Sequence, residues 1–317
     1  MYLQPAVMYY LVYGFLYLVS LLPMWMLYLV SDLAGWVIFR VFGYRTKVVK
    51  MNLAIALPDK TEEEREQVAR KFYRNFTDTF IETLKLLSAG RKFVTKRVKG
   101  DFHVFDELYD RGLKCQVHLG HNFNWEMGSL AVGYSCKFTM LAVYLPLNNK
   151  VMDRIFLRLR TRAGSVLLPA TDMRRQMLKH GRDKQYLLAL IADQVPANVG
   201  RAWWLNFFGM PSAFIPGPEK GARAGNVPVV FVHITKEKRG HYYVHAHVAA
   251  ETPATLPEGE LTRQYRDFLE RVIHQHPDMW LWSHRRWKKS WQTSYESQWI
   301  DIPPPPAKSV NPYVSTL

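Results

Sequence analysis

The residues best suited to chemistry lie in one short segment, His118-Leu-Gly-His-Asn-Phe-Asn-Trp-Glu126. An apolar run ends near Leu119, a glycine follows, and an asparagine is available to cap a helix. His121 is therefore predicted just beyond the carboxyl end of a strand, where open α/β sheets bind ligands. An imidazole oriented by a carboxylate is a general base, and Glu126 could orient His121 if His121 lies in the turn before the helix.

The same spacing allows two other interpretations. His121 could cap the helix while Glu126 lies in solvent, or His118, His121 and Glu126 could bind a metal ion. No fourth metal ligand is evident from the spacing, so no metal is predicted. Three later histidines alternate unevenly along a predicted strand and are interpreted as surface residues: His241, His245 and His247.

Asp193 and Gln194 follow a buried apolar run over residues 186–192, again at the carboxyl end of a predicted strand. Because the carboxyl ends of parallel strands meet at one edge of a sheet, both side chains are expected in the same crevice as His121. The alternative for Asp193 is a helix or loop cap.

A basic helix over residues 150–163 is a candidate for binding phosphate. Arg154, Arg158 and Arg162 are spaced i, i+4 and i+8 and share one face, with Arg160 offset from them. The planar guanidinium suits phosphate because it donates two parallel hydrogen bonds. A solvated basic face is the alternative.

From about residue 113, short apolar runs alternate with helical patterns. This alternation predicts an α/β fold with a mostly parallel central sheet flanked by helices. Strands are predicted at 113–119, 138–145, 165–168, 186–192 and 227–234, and helices at 59–87, 127–132, 150–163, 173–179 and 262–275. The alternating segment 241–248 is predicted to pair antiparallel at an edge of the sheet.

The composition narrows the class of protein. The 317 residues contain 48% hydrophobic residues, which excludes a disordered or collagen-like chain. Cys115 and Cys136 are too few for a disulfide-rich scaffold and are predicted to be buried structural residues. The formal charge of +15 indicates an anionic partner: nucleic acid, lipid headgroups or an acidic carrier protein.

The N-terminal region predicts a membrane anchor. Residues 7–30 contain no charged side chain, and 24 residues of helix would extend about 36 Å, enough to cross a bilayer, with a kink at Pro23. The apolar stretch at 33–42 is too short to span and is predicted at the interface. Basic residues then follow without an acid, which places the rest of the chain in the cytoplasm: Arg40, Arg45, Lys47 and Lys50. A buried, kinked core helix is the alternative.

These patterns divide the chain into an anchor at 1–44, a catalytic domain at 45–300 and a Pro-rich tail at 301–317 that is extended or disordered. Near the end of the domain, residues 280–291 interleave tryptophans with arginines and lysines. That mixture suits a membrane interface or an acidic carrier surface, with a structural lid as the alternative.

His121-Asn-Phe-Asn-Trp-Glu126 resembles the His-x4-Asp/Glu motif of glycerolipid acyltransferases, and specifically that of the bacterial lipid A biosynthesis lauroyl/myristoyl acyltransferases. Asn122-Phe-Asn124 replaces the usual Phe-Gly-Asn. The resemblance covers roughly residues 1–290, and its other elements follow in the family's order: Arg45…Asn52-Leu53…Leu57-Pro58…Glu64-Arg65, Arg160-x-Arg162-x-Gly164, Leu178-Lys-x-Gly181, Ala192-Asp-Gln194, Phe207-Phe-Gly209 with Pro211, and Trp280-Leu-Trp-Ser-His-Arg-Arg-Trp-Lys288.

The resemblance implies an enzyme that moves a fatty acyl chain from an acyl carrier protein or coenzyme A thioester to a hydroxyl of a lipid A precursor or similar phosphorylated glycolipid. It places this single-pass protein at the bacterial inner membrane, with no cofactor and no covalent acyl-enzyme. His121 would be the base and Glu126 would orient it. The residues assigned to substrate binding are Asn122, Asn124, Arg160, Arg162, Asp193 and Gln194.

Two alternatives stay open. The acceptor could be another lipid, such as an aminolipid or a phosphoinositol mannoside. The chain could instead be a basic binding module without catalysis. Nucleic acid is not a predicted partner, because no helix-turn-helix, zinc-finger or single-strand-binding signature is present.

Overall fold

The computed structural model describes residues 5–181 and 185–313. The helices, numbered along the chain, are α1 (Pro5–Ser20), α2 (Met24–Trp36), α3 (Thr46–Ala56), α4 (Glu62–Lys85), α5 (Arg91–Arg97), α6 (His103–Asp110), α7 (Trp125–Ser135), α8 (Lys150–Arg160), α9 (Met173–His180), α10 (Gly217–Gly225) and α11 (Glu260–Gln275). A π-helical turn, Val37–Val41, continues α2. The strands are β1 (Val98–Gly100), β2 (Cys115–Leu119), β3 (Thr139–Tyr144), β4 (Val166–Pro169), β5 (Tyr186–Ile191), β6 (Trp203–Phe207), β7 (Met210–Phe214), β8 (Val229–Lys238) and β9 (His241–Ala250).

Seven strands form one sheet in the order β1-β9-β8-β2-β5-β3-β4, and β6 and β7 form a separate antiparallel pair. All neighbours in the large sheet are parallel except β8 and β9. The predicted α/β class with a mostly parallel sheet is confirmed. The antiparallel pairing of β9 is also confirmed, but its edge position is wrong, because the three-residue β1 pairs outside it. A strand of that length is too short to show a periodic pattern.

The long helix α4 begins as its sequence predicts. Thr61 and Glu64 form a reciprocal capping box, in which each side chain accepts a hydrogen bond from the other residue's backbone N–H. Its apolar face packs Val68 and Phe72 into the core. The sequence reasoning overlooked a second face of α4, a buried polar stripe at Asn75, Asp78 and Glu82 that continues to Lys85.

The apolar N-terminal region forms two helices, so the prediction of one kinked span over residues 7–30 is wrong. Lys85 donates to the backbone carbonyls of Ser20 and Leu22 at 2.9 and 3.0 Å, and satisfies the acceptors at the end of α1. Residues 33–42 do not form a separate segment as predicted, because they belong to α2 and the π-helical turn that continues it. One helix in the described part of the chain, Met24–Val41, is long and apolar enough to cross a membrane by length and composition.

Both N-terminal helices contact the domain. The Tyr28 and Ser31 hydroxyls of α2 donate to Glu82 and Asp78 of α4 at 2.8 and 2.7 Å. Arg239, in the β8–β9 turn, bridges Asp78 and Asp32. One face of α2 therefore carries polar contacts to α4 and the hairpin, while much of the rest of the helix stays exposed.

The C-terminal segment packs on the domain as far as residue 313, without regular secondary structure after residue 298. The Trp291 backbone N–H donates to Ser309 Oγ at 2.7 Å, and its indole N–H donates to the Pro306 carbonyl at 2.9 Å. Tyr313 is buried, and its hydroxyl donates to Asn52. This segment is extended, as its prolines predict, but it is ordered against the domain. The predicted tail's last four residues and the anchor's first four lie outside the described residues.

We expect Asp78→Ala to lower the free energy of unfolding by about 3 kcal/mol, because it leaves Arg239 in a half-buried site without its 2.6 Å partner and Ser31 without an acceptor. Chemical denaturation of the purified protein measures this. Asp110→Ala is the control, because its ion pair with Lys137 is exposed on both sides. Equal effects of the two substitutions would show that the buried stripe contributes no more than a surface pair.

Candidate active site

The sheet brings two predicted site residues together at one edge. β2 and β5 are adjacent and parallel, with Leu119 opposite Ile191. His121 and Asp193 each lie two residues beyond those positions, at the carboxyl ends of the two strands. The expectation that Asp193 shares a crevice with His121 is confirmed.

Asp193 binds the imidazole of His121. The His121 Nδ1 lies 2.7 Å from Asp193 Oδ1, and the backbone N–H of His121 donates to Oδ2 at 2.8 Å. The indole N–H of Trp280 donates to the same Oδ2 at 2.7 Å. Asp193 is buried, whereas the His121 side chain is 22% exposed, so one face of the imidazole reaches solvent.

The surroundings keep Asp193 ionised. Burial alone would raise the pKa of Asp193, but the charge of His121 and the hydrogen bonds from His121 and Trp280 outweigh it and lower the pKa to about 2. An ionised carboxylate only accepts hydrogen bonds, so Nδ1 of His121 carries the proton and Nε2 is left as the basic nitrogen. The side-chain N of Gln194 lies 3.4 Å from both ring nitrogens, beside the nitrogen that would act as base.

Glu126 does not orient His121, which corrects the expectation from the sequence. Its carboxylate instead pairs with Arg160 of α8, with Nε 2.9 Å from Oε2 and a second hydrogen bond from Nη2, and it accepts from the Trp125 indole at 3.2 Å. Burial opposes the charge of Arg160, but Glu126 raises the pKa of Arg160 above its ordinary value. Glu126 does not bind Nδ1 of His121 because Asp193 already occupies that nitrogen. Glu126 itself lies in the first turn of α7.

Asn124 is the N-cap of α7, and the prediction that an asparagine caps this helix is confirmed. Its Oδ1 accepts from the backbone N–H groups of Glu126 and Met127 at 3.1 and 3.2 Å, and its Nδ2 donates to Glu82 at 2.8 Å. Asn122 is also buried, and its backbone forms a bridge with Trp280. Both polar side-chain atoms of Asn124 therefore form hydrogen bonds that hold the turn between His121 and α7.

Two arginines of the predicted phosphate-binding face of α8 contact α1 and remain exposed. The guanidinium of Arg154 lies 4.0 Å from the ring centre of Tyr9, and that of Arg158 lies 4.8 Å from Tyr13. Both rings belong to α1, so cation–π contacts join α1 to α8. Arg162 donates to the carbonyl of Leu86, just after α4. Arg160 binds Glu126, which is next to Trp125, and Trp125 contacts His121. Arg160 is therefore the arginine of this set that is connected to the candidate site.

The aromatic segment 280–291 is part of the interior, so its interpretation as a membrane or carrier surface is wrong for its tryptophans. All four are buried: Trp280, Trp282, Trp287 and Trp291. Arg286 is buried as well, against the rings of Phe207 and Phe214, and burial lowers its pKa to about 10. The hydrophobic area of the indoles outweighs the basic residues around them.

Residues from the beginning of the domain hold this segment in place. Asn52 donates to the carbonyls of Trp282 and His284 at 2.6 and 2.8 Å, and Arg45 donates to the carbonyl of Ser283 at 3.0 Å. Trp280 in turn donates to Asp193. Segments from the beginning and the end of the domain therefore meet next to Asp193.

Sequence reasoning missed Trp280 and Glu82 as contacts of the site. Trp280 was visible only as one tryptophan among several. Glu82 carried a usable signal, because Asn75, Asp78, Glu82 and Lys85 recur at spacings of three and four on one face of a helix. A polar face opposite an apolar one normally faces solvent, so the pattern alone predicts an exposed stripe.

A row of packed aromatic rings leads from His121 toward α4. Ring centres are 5.6 Å apart between His121 and Trp125, 5.5 Å between Trp125 and Phe123, and 6.3 Å between Phe123 and Phe76. Phe76 lines an apolar groove of about 400 Å³ between α2 and α4. Such a surface could receive a hydrocarbon chain.

Neither cysteine is suited to covalent catalysis. Burial raises the pKa of the Cys115 thiol, and it raises that of Cys136 to about 12. A thiol is nucleophilic as the thiolate, so both are predominantly unreactive at neutral pH. Among the described residues, no group of three or more His, Cys, Asp or Glu side chains could hold a metal ion.

Comparison with known proteins adds one finding. The model of a family described as "Bacterial lipid A biosynthesis acyltransferase" matches residues 2–289, from the N-terminal helices to the buried tryptophan segment. The search of curated proteins found no match.

We expect the stability difference between the wild type and Asp193→Asn to depend on pH. Because the folded protein lowers the pKa of Asp193 from 3.8 to about 2, its ionisation contributes about 2–3 kcal/mol at neutral pH. That contribution is present above pH 4 and is lost as the pH falls through 2. Denaturation at pH 7 and at pH 2.5 should show the gap narrowing, whereas a constant gap would contradict the assigned ionisation.

Proposed function

Because the chain belongs to the bacterial lipid A biosynthesis acyltransferase family, we propose that it transfers a fatty acyl chain from a thioester to a hydroxyl of a lipid A precursor. The observation that supports this is the His121–Asp193 pair at the carboxyl edge of the sheet. An alcohol is a weak nucleophile at neutral pH, whereas a thioester is already activated, so a base is the group the reaction lacks.

In the proposed reaction, Nε2 of His121 removes the proton of the acceptor hydroxyl as its oxygen attacks the thioester carbonyl. Asp193 stabilises the imidazolium that forms. The tetrahedral intermediate collapses, its carbon–sulfur bond breaks, and the thiolate takes the proton from the imidazolium. The products are an ester and a free thiol, without an acyl-enzyme.

The roles of the other residues follow from their contacts. We assign Glu126 the task of holding Arg160, which is part exposed, and we propose that this guanidinium binds a phosphate of the acceptor. Gln194 is assigned to the acceptor hydroxyl because of its place beside the imidazole. Asn122 and Asn124 support the turn, and Arg162, just after α8, binds the Leu86 carbonyl at the end of α4. The acyl chain would occupy the apolar groove lined by Phe76.

We propose an acyl carrier protein as the donor, because a chain of charge +15 attracts an acidic carrier.

We further propose attachment to the bacterial inner membrane, with the domain on the cytoplasmic side. Met24–Val41 rather than residues 7–30 would carry that attachment. Its outward apolar side chains are Trp25, Leu29, Leu33 and Trp36.

The activity test is transfer from acyl carrier protein and coenzyme A thioesters to a panel of lipids, read by mass spectrometry. The panel contains a lipid A precursor, an aminolipid and a phosphoinositol mannoside. We expect His121→Ala to lower transfer at least 100-fold, because the base is lost, and the exposed His103→Ala to leave it unchanged. Full activity of His121→Ala would contradict the assignment, and a wild type that acylates no lipid would favour a binding protein.

The same assay separates Asp193 from Glu126. We expect Asp193→Asn to lower kcat by 100-fold or more and to move the acid limb of the pH profile to lower pH, since the protonated imidazole loses its carboxylate. Glu126→Gln should leave the position of that limb unchanged, because its carboxylate acts on Arg160. A shifted limb in Glu126→Gln alone would reverse the two roles.

The membrane test changes the outward face of α2. A deletion of residues 1–32 would also remove the Tyr28 and Ser31 hydroxyls from the domain, so we use glutamine at Trp25, Leu29, Leu33 and Trp36. We expect this variant to leave the membrane pellet at about 1 M salt, where charge attraction is screened, while the wild type stays. Glutamine at the exposed Glu62 and Glu63 is the control. Continued pelleting of the variant would show that another surface binds the membrane.

A further inference from the structure

Glu82 is a buried carboxylate that joins three parts of the molecule. Its Oε1 accepts from the Tyr28 hydroxyl of α2 at 2.8 Å. Its Oε2 accepts from the Tyr242 hydroxyl of β9 at 2.7 Å and from Nδ2 of Asn124 at 2.8 Å. Only 1% of Glu82 is exposed, so these three donors replace its hydration.

The contact with Asn124 connects Glu82 to the site. Asn124 can cap α7 only while its Oδ1 faces the helix, which turns its Nδ2 away from the helix and toward Glu82. The first turn of α7 carries Glu126, and Trp125 touches the imidazole of His121. An acceptor at the position of Glu82 therefore favours the one amide orientation that holds this turn.

We propose, on the basis of the proposed function, that Glu82 is a positioning residue for acyl transfer and that α2 supports it through Tyr28. The apolar N-terminal helix is then part of the catalytic unit, rather than an anchor that ends at residue 44. A small displacement of the turn lowers the rate, because transfer requires the base and the reacting atoms in line.

Asp78 offers a matched control one turn earlier on the same stripe. It is as buried as Glu82, and it accepts from Ser31 of α2 at 2.7 Å and from Arg239 of the hairpin. Its described contacts lie with α2 and the hairpin, and none of them reaches the turn between His121 and α7. Asp78→Asn therefore reports what a neutralised carboxylate in this stripe does to the fold alone.

The experiment uses the full chain in detergent and compares Glu82→Gln, Asp78→Asn and Tyr28→Phe. We expect Glu82→Gln and Asp78→Asn both to lower the melting temperature. Of these two, only Glu82→Gln should lower kcat, by about 10-fold, with KM for the acceptor within twofold. Tyr28→Phe should lower kcat about threefold and have no further effect when combined with Glu82→Gln.

Amide hydrogen exchange tests the positioning without any substrate. The backbone N–H groups of Glu126 and Met127 should exchange faster in Glu82→Gln than in the wild type, and at the wild-type rate in Asp78→Asn. An active wild type with an unchanged kcat in Glu82→Gln, or an equal loss of kcat in Asp78→Asn, would overturn the proposal. If the wild type transfers no acyl group, the proposed function fails, and unchanged exchange in Glu82→Gln would overturn the positioning role separately.

Discussion

A buried carboxylate must stay ionised to hold an imidazole in one tautomer, and burial opposes its ionisation. The fold meets this constraint at Asp193 by turning the His121 backbone N–H and the Trp280 indole toward the same oxygen. Trp280 can reach Asp193 because Asn52 and Arg45 hold the adjoining carbonyls. The site thus depends on the first and last segments of the domain as much as on the motif between them.

At a second buried carboxylate, Glu82, burial outweighs the hydrogen bonds and raises the pKa. Three neutral donors surround Glu82, and each comes from a different part of the chain. The polar stripe of α4 is therefore a shared surface on which α2, the β8–β9 hairpin and the turn before α7 all meet. This explains why a helix with exposed apolar residues also carries tyrosine, serine and aspartate on its other side.

Several arginines contact aromatic rings or a carboxylate within the protein. Arg154 and Arg158 lie over tyrosine rings of α1, Arg160 pairs with Glu126, and Arg286 lies against two phenylalanine rings. Arginine serves this purpose because its weakly hydrated guanidinium stacks on aromatic faces. Phosphate binding by the basic face of α8 stays a prediction, because Arg154 and Arg158 contact α1 and are still exposed.

The sequence by itself determined what is local. Six of the nine described strands (β2–β5, β8 and β9) follow from periodicity. The capping box at Thr61, the cap at Asn124 and the place of His121 after β2 depend on neighbouring residues, and the ordered motifs indicated the family. Only the tertiary structure decided which carboxylate reaches His121. Asp193 and Glu126 are both plausible partners along the chain, but the pairing of β2 with β5 brings Asp193 to Nδ1, while α8 brings Arg160 to Glu126. Contacts between residues distant in sequence arise from packing, which no local spacing encodes.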